Sequence, residues 1–381
     1  MILYIFLILL LSWYFKVFFL YRYSWKSILP SENINKTDFI TVIIACRNEE
    51  NNILNIIEDV KNQDFDKQRF EMIVVNDHSE DSTLKILEKS AKSWENLKII
   101  CMNEGEQGKK NAIKKGISCA NGSVILCTDA DCRVGKNWIK TIANYFTDKS
   151  VTLLSAPVEF HNEKGIFQKI QALEFLSLIG SGAAAINTGK GIFCNGANLA
   201  YRKSVFLEVN SYDSNSTVSG DDVFLMHHVK VKYPSGIRFA KDRESIVKTD
   251  AQPNLKSFVN QRKRWTAKSS LYTDWDTISV SILVLLINVS IVVLSVLSIL
   301  SAITPHESVI LFSTKFLLLF VLFFKYISDY NFLIPVLKFF RRRDLAIWIL
   351  PFEVIYSFYI VSIVIYSFSS NFEWKGRKFR K

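Results

Sequence analysis

The sequence predicts an α/β domain built on a parallel sheet and flanked by membrane-crossing helices at both ends of the chain. Three patterns carry this. Between about Asp38 and Phe146, short β-branched apolar runs alternate with turn residues and stretches of helical spacing, the signature of a doubly wound sheet. Met1 to Leu20 is almost entirely apolar and aromatic, broken only by Ser12 and Lys16. From Thr277 onward, long apolar runs return. With 381 residues, 49% of them hydrophobic, there is room for one large soluble domain plus membrane segments.

Met1 to Leu20 is long enough to cross a bilayer, and Tyr21-Arg22-Tyr23 suits the interface that follows. Its uncharged start and missing small-residue cleavage site favour an uncleaved anchor over a signal peptide. Strands are expected at Thr41 to Ala45, Met72 to Val75, Leu97 to Cys101 and Val124 to Cys127. Helices are expected at Glu50 to Lys61, Asp81 to Trp94, Lys109 to Cys119 and Lys136 to Phe146. Glycines 180, 182, 189, 191 and 196 punctuate the small-residue stretch Ser177 to Ala200, which suits close backbone approach or a substrate channel.

Thr277 to Ile303 reads as a second span and Val309 to Ile327 as a third, with Lys315 and Lys325 needing to snorkel or face protein. Phe332 to Phe340 is short and ends near Arg341-Arg342-Arg343, which suits an interfacial helix. Leu345 to Phe368 is long enough to span. The expected units are therefore an anchor at 1–21, the α/β domain at 38–276, a membrane region at 277–370 and a basic tail at 371–381.

Arg22 and Lys26 after the anchor put the domain on the cytoplasmic face of the cytoplasmic membrane. Three further spans would then export the basic tail, against the same rule. Either Leu345 to Phe368 lies partly in the interface, or another segment re-enters. The net charge of +11 clusters beside apolar segments, where anionic lipid accounts for it, and no nucleic-acid motif accompanies it. The six cysteines lack zinc spacing and suit buried free thiols, while His161, His227 and His228 suit structural roles.

Ligands of doubly wound sheets bind beyond the carboxyl ends of the strands. Polar clusters sit at four such ends: Arg47-Asn48-Glu49, Asn76-Asp77, Gln107-Gly108-Lys109 and Asp129-Ala-Asp131. Two carboxylates one residue apart are the most informative of these. Mg2+ and Mn2+ take oxygen ligands, and one or two protein carboxylates suffice when substrate phosphates complete the shell. Lys109 suits a phosphate or a solvated helix face equally, since Lys110, Lys114 and Lys115 surround it.

The chain resembles the membrane-bound members of glycosyltransferase family 2. Thr41-Val-Ile-Ile-Ala-Cys-Arg-Asn-Glu-Glu50, Val74-Val-Asn-Asp77-His-Ser-Glu-Asp-Ser82, Gly108-Lys109, Asp129-Ala-Asp131, Cys194-Asn-Gly-Ala-Asn198, Gly220-Asp-Asp222 and Gln261-Arg-Lys-Arg-Trp265 stand in that family's order. The resemblance implies a GT-A-like (nucleotide-diphospho-sugar transferase) Rossmann-like domain and inverting transfer of a sugar, from a UDP-sugar by first expectation, to an acceptor hydroxyl. It implies that Glu49 and Asp77 meet the nucleoside, that Asp129 and Asp131 serve metal and diphosphate, and that Asn195, Gly196, Asn198 and Asp221 lie near the acceptor.

Such chemistry asks Asp222 to take the acceptor proton and Arg264, in a segment with Gln261, to stabilise the leaving diphosphate. Trp265 offers a ring face to a sugar or acceptor, or a membrane-interface anchor. Asp221-Asp222 replaces the more usual Glu-Asp. The ending Trp374-Lys-Gly-Arg377 is similar to that of lipid-directed members such as ceramide glucosyltransferases. A lipid or lipid-linked acceptor is therefore expected, with a processive polysaccharide synthase and a catalytically silent nucleotide-sugar sensor as the alternatives.

Overall fold

The computed structural model describes residues 2–31, 38–209, 221–269, 271–303, 308–368, 372–374 and 377–379. The first half runs α1 (Ile2–Ser27), β1 (Ile40–Cys46), α2 (Ile53–Lys61), β2 (Phe70–Asn76), α3 (Thr83–Lys92), β3 (Leu97–Cys101), α4 (Lys109–Cys119), β4 (Val124–Asp129), β5 (Arg133–Val134) and α5 (Trp138–Tyr145). Each of the four strands and four helices expected between Asp38 and Phe146 is present. Next come β6 (Leu153–Ser155), β7 (Val158–His161), α6 (Gly165–Asn187), β8 (Leu199–Arg202), α7 (Lys203–Val209), α8 (Asp221–Lys232), β9 (Ile237–Phe239), β10 (Val247–Asp250) and α9 (Leu255–Ser269). The chain closes with α10 (Trp275–Ile303), α11 (Ser308–Phe339), α12 (Ile349–Phe368), β11 (Phe372–Trp374) and β12 (Arg377–Phe379).

Among the described residues the main sheet has the order β3-β2-β1-β4-β8-β6-β9. Strands β3, β2, β1 and β4 are parallel, and β8 joins β4 antiparallel. Both β1 and β2 are buried along nearly their whole length, which is why they read as continuous apolar runs rather than alternating ones. Register decides where function can sit: Ala45 lies opposite both Val75 and Asp129. The carboxyl ends of β1, β2 and β4 are therefore level, and strand order reverses beside β1, where such sheets bind ligands.

The apolar helices are more than tethers. Expected to end near residue 21, α1 continues to Ser27, with Trp25 buried, Ser24 Oγ donating to Ala184 O at 2.7 Å and Lys241 Nζ donating to Trp25 O at 2.6 Å. The first part of the small-residue stretch lies in α6, where a Cβ on Gly180 would meet Val336 at 2.8 Å. Close approach thus accounts for Gly180, while Ser177, Ser181 and Asn195 of the same stretch line a cavity. Five described helices, Ile2–Ser27, Gly165–Asn187, Trp275–Ser301, Thr314–Phe339 and Arg343–Ser367, are long and apolar enough to cross a membrane, although 72% of the apolar window in Gly165–Asn187 is buried inside the protein.

One expectation for the final third needs correction. Phe332 to Phe340 is no separate interfacial helix: it is the end of α11, because Phe332, Val336 and Leu337 are buried in the main core beside α1 and α6. Of the two courses expected for Lys325, snorkelling or facing protein, it takes the second. It is buried and ion-paired with Asp329 and Glu353. Helix α12 keeps contact with the α/β domain along its length, since Ile349 belongs to the main core, Tyr359 donates to Glu174 at 3.1 Å and Lys263 lies 4.0 Å from the Tyr366 ring centre.

Candidate functional site

The loops after β1 and β2 are tied together. Arg47 Nη1 donates to the carbonyls of Asp77 and His78 at 3.1 Å each, and Asn48 N donates to Ser79 Oγ. Asn48 and His78 both have positive φ, 51° and 53°, a conformation uncommon for non-glycine residues and often found at binding sites. Glu49 is nearly buried, its carboxylate accepting from Asn52 and its backbone N donating to Thr83 Oγ1 at 2.8 Å.

Asp77 is buried at the end of β2, and its Oδ2 accepts from Gly108 N at 2.9 Å. Gly108 has a φ of +94°, which glycine adopts without the strain of a Cβ. Asp77 thereby sets the entrance of α4 and the position of Lys109. Lys109 in turn is ion-paired with Asp129, so the third and fourth strand ends meet through charge.

Asp129, Asp131 and Cys132 offer ligand atoms that all lie within 4.8 Å of one another. Burial, then the charges of Asp131 and Asp129, push the Cys132 thiol well above its usual range in the ion-free protein. What remains is a pair of carboxylates, half-buried Asp129 and exposed Asp131, which fits an oxygen-seeking Mg2+ or Mn2+ better than a soft ion. Cys132 was read from sequence only as one of six buried thiols. Four of the six are indeed buried, but Cys101 and Cys119 are exposed.

Arg264 on α9 ties the crevice together. Burial lowers the proton affinity of its guanidinium, and Asp129, Asp222 and Asp131 act against that. Three carboxylates from two distant stretches thus lie within electrostatic reach of one cation. Asp222 stands at the start of α8, its Oδ2 accepting from Gly196 N at 2.8 Å and its Oδ1 from Val223 N at 2.9 Å. A Cβ at Gly196 would lie 3.3 Å from Asp222 Oδ2, so glycine lets this backbone approach. The side chain of Asp221, and Gly220 before it, lie outside the described residues.

Asn195, Asp222 and Trp265 line one cavity. Asn195 also caps the turn that follows, its Oδ1 accepting from Ala197 N at 2.9 Å. Asn198, expected near the acceptor, is a correction: fully buried, it accepts from Trp138 Nε1 and donates to the carbonyls of Pro157 and Ser245. Its amide is spent on holding the turn against the core. Gln261 is also used internally, accepting from Arg262 Nη1 at 2.6 Å, while Arg262 lies 4.2 Å from the Trp265 ring centre. One face of Trp265 is therefore covered by a guanidinium.

Arg262 and Glu174 were missed from sequence. They form a buried ion pair at 2.8 Å between α9 and α6, with Tyr359 of α12 donating to the same carboxylate. The signal available was a polar Glu174 inside an otherwise apolar helix.

A profile of glycosyl transferase family 2 matches residues 41–209. Among curated proteins, the poly-beta-1,6-N-acetyl-D-glucosamine synthase of Staphylococcus aureus is 28% identical over 252 residues, covering 64% of this chain and 57% of that protein. The synthase of the same name from Staphylococcus epidermidis is 26% identical over 197 residues, covering 50% and 46%. The chain therefore spans less than two thirds of the length of these relatives. Among solved structures, the mannosyltransferase PcManGT from Pyrobaculum calidifontis, in complex with GDP-Man and Mn2+, shares the fold with a TM-score of 0.54 at 16% identity, covering 95% of this chain and 98% of that one.

Proposed function

Because this chain carries a glycosyl transferase family 2 domain, we propose that it is a membrane-anchored inverting glycosyltransferase moving one sugar from a nucleotide sugar to a lipid-borne hydroxyl. The gathering of Asp129, Asp131 and Asp222 around Arg264 carries this reading. A sugar transferase needs cationic charge where the diphosphate leaves and a carboxylate where the acceptor loses its proton, and both requirements meet here. GDP-Man and Mn2+ bound to the mannosyltransferase of the same fold support a nucleotide-sugar donor and a divalent cation.

In the proposed step the acceptor oxygen forms a bond to the anomeric carbon while its proton passes to Asp222. The bond from that carbon to the diphosphate breaks, and the electron pair leaves with the nucleoside diphosphate. Gly196 N and Val223 N fix the orientation of Asp222. Arg264 stabilises the negative charge that develops on the leaving oxygen, an effect stronger in a site shielded from water. Asp129 and Asp131 would hold Mg2+ or Mn2+, which when bound supplies further positive charge at the diphosphate. Lys109, drawn toward Asp129 by Asp77 and Gly108, adds charge to the same side. Glu49 and Asp77 form the nucleoside end.

The domain, 38–276, is proposed to face the cytoplasm, with α1, α10 and α11 crossing the bilayer and α12 lying in the interface. Contact of α12 with the domain along its length supports this. An anchor plus two further crossings returns the basic tail to the cytoplasmic side, consistent with the positive-inside rule. Reporter fusions after residue 381 test it: a cytoplasmic signal is expected, and an exported one would make α12 a crossing.

Purified full-length protein is expected to release nucleoside diphosphate from at least one of UDP-N-acetylglucosamine, UDP-glucose and GDP-mannose, only with Mg2+ or Mn2+ and a membrane-lipid extract. One lipid should gain the mass of one sugar. Saturable donor binding without release would make the domain a sensor. A second reading, a processive synthase, is favoured by the names of the staphylococcal relatives; products forming a ladder of sugar masses would replace single transfer with it.

A further inference from the structure

The cavity that Asp222 lines does not end at the α/β domain. It has a volume of about 590 Å3 and continues among the apolar helices to Tyr14, Lys325, Asp329 and Glu353. Tyr14 donates to Asp329 at 2.6 Å, Lys325 lies 2.7 Å from Asp329 and is also paired with Glu353, and Ser357 ties the Glu353 turn to Asn288. Charged side chains buried among apolar helices are costly, and when retained they commonly face a cavity with a function.

The charge balance says what the cavity accepts. Among its described lining residues, Glu174, Asp222, Asp329 and Glu353 are acids, and Arg262 and Lys325 are the cations. Both cations are already engaged by acids, Arg262 by Glu174 and Lys325 by Asp329 and Glu353. At the cluster, where one ammonium, Lys325, stands against both Asp329 and Glu353, a phosphate would meet two acids and a cation already engaged by them. A hydroxyl has no such difficulty, because it donates to a carboxylate and accepts from an ammonium or a phenol. Elsewhere the lining is hydrocarbon, as at Leu173, Leu285 and Ile360.

We propose that this cavity binds the acceptor, that the acceptor is an uncharged hydroxylated amphiphile, and that the Tyr14–Lys325–Asp329–Glu353 cluster discriminates against phosphate-bearing lipids. The word acceptor rests on the transferase reading; the ligand chemistry rests on the cavity alone. Asp222 stands in the same cavity as the cluster, so a hydroxylated amphiphile seated there shares one enclosed space with the proposed base.

Two matched pairs test this without turnover: dioleoylglycerol against dioleoyl phosphatidic acid, and farnesol against farnesyl phosphate. Each is titrated into detergent-purified full-length protein and followed by native mass spectrometry. At least one uncharged member is expected to bind ten-fold or more tighter than its phosphate partner. Equal binding, preference for the phosphate, or no binding by any of the four overturns the proposal. The triple variant Lys325→Met, Asp329→Asn, Glu353→Gln should erase the preference; retention of ten-fold discrimination removes the cluster from the proposal. If that variant does not fold, Ser281→Trp, which fills the cavity from α10, should abolish binding of the uncharged member, and unchanged binding sinks the assignment. Discrimination in binding with no nucleoside diphosphate released from any donor would leave the cavity intact and overturn the transferase instead.

Discussion

The strand-end crevice and the helix-lined cavity use the same residue types to opposite ends. In the crevice, Asp129 is half-buried and Asp131 exposed, and the Arg264 guanidinium feels the charge of both. In the cavity, Lys325, Glu353, Glu174 and Arg262 are almost wholly buried and neutralise each other in contact. A charge near water keeps its solvation and remains available to a ligand. A charge withdrawn from water stabilises little on its own account but becomes expensive to orphan. The first region is therefore where substitutions should cost catalysis, and the second where they should cost folding.

The largest effect expected from this contrast is at Asp222. Asp222→Asn keeps the size and the ability to accept from Gly196 N but removes the proposed base, and general-base loss typically costs about 10^2 to 10^4 in rate. Donor affinity and thermal stability should stay near those of the parent. Steady-state release of nucleoside diphosphate, with donor titration beside it, separates the outcomes; lost donor binding or a collapsed melting transition would move Asp222 from the chemistry to the scaffold.

Glu174→Gln should behave in the opposite manner. It leaves the Arg262 guanidinium buried against α6 without its counter-charge, and breaking such a pair costs about 3 to 5 kcal/mol. The double variant Glu174→Gln, Arg262→Met removes both charges and should recover most of that loss. Melting curves of the single and double variants in one detergent decide it: a double variant no more stable than the single would mean that the pair contributes through something other than charge compensation.

The two regions also differ in how much of them the sequence discloses. Strands β1 to β4 are legible because a buried parallel strand writes its own apolar run; Glu49, Asp77 and Asp129 are legible because they stand at the ends of such runs, and Lys109 because it closes the loop after the third. Asp222 and Arg264 needed the ordered motif set, since neither stands at a strand end. The cavity was almost invisible. Lys325 meets Glu353 across 28 positions and Arg262 meets Glu174 across 88, and no local periodicity encodes a partner at such a separation. Asn198 shows the converse: a motif position read as facing the acceptor is consumed by three hydrogen bonds inside the core. Phe332 to Phe340 was misread for a related reason, because its length was judged without knowing that α1 and α6 would cover it.

A smaller effect is expected where the two regions join. His227 on α8 is buried with its Nε2 3.0 Å from Thr277 Oγ1 on α10, one helix of the domain meeting one apolar helix. Burial, with Lys230 and His228 adding to it and Asp274 opposing, depresses its pKa from 6.5 to about 4. The neutral ring is thus the folded form. Above pH 6.5 neither the folded nor the unfolded chain protonates it, and its full contribution is present. Between pH 6.5 and about 4 the unfolded chain takes up a proton that the fold refuses, so stability falls with pH across that window and levels off below it, by about 3 kcal/mol in all at the order-of-magnitude level. Asp274 remains ionised there, since its hydrogen bonds to Lys230 and Thr277 outweigh burial and keep it below the usual carboxylate range. His227→Gln keeps a polar partner for Thr277 and removes the titration. Melting temperatures from pH 7.5 to 4.5 should therefore fall less steeply in the variant than in the parent; parallel curves would take His227 out of the acid response. Because α8 also carries Asp222 in its first turn, the same acid titration should loosen the proposed base before the sheet itself is lost, and transfer should decline at a higher pH than the far-ultraviolet circular dichroism does.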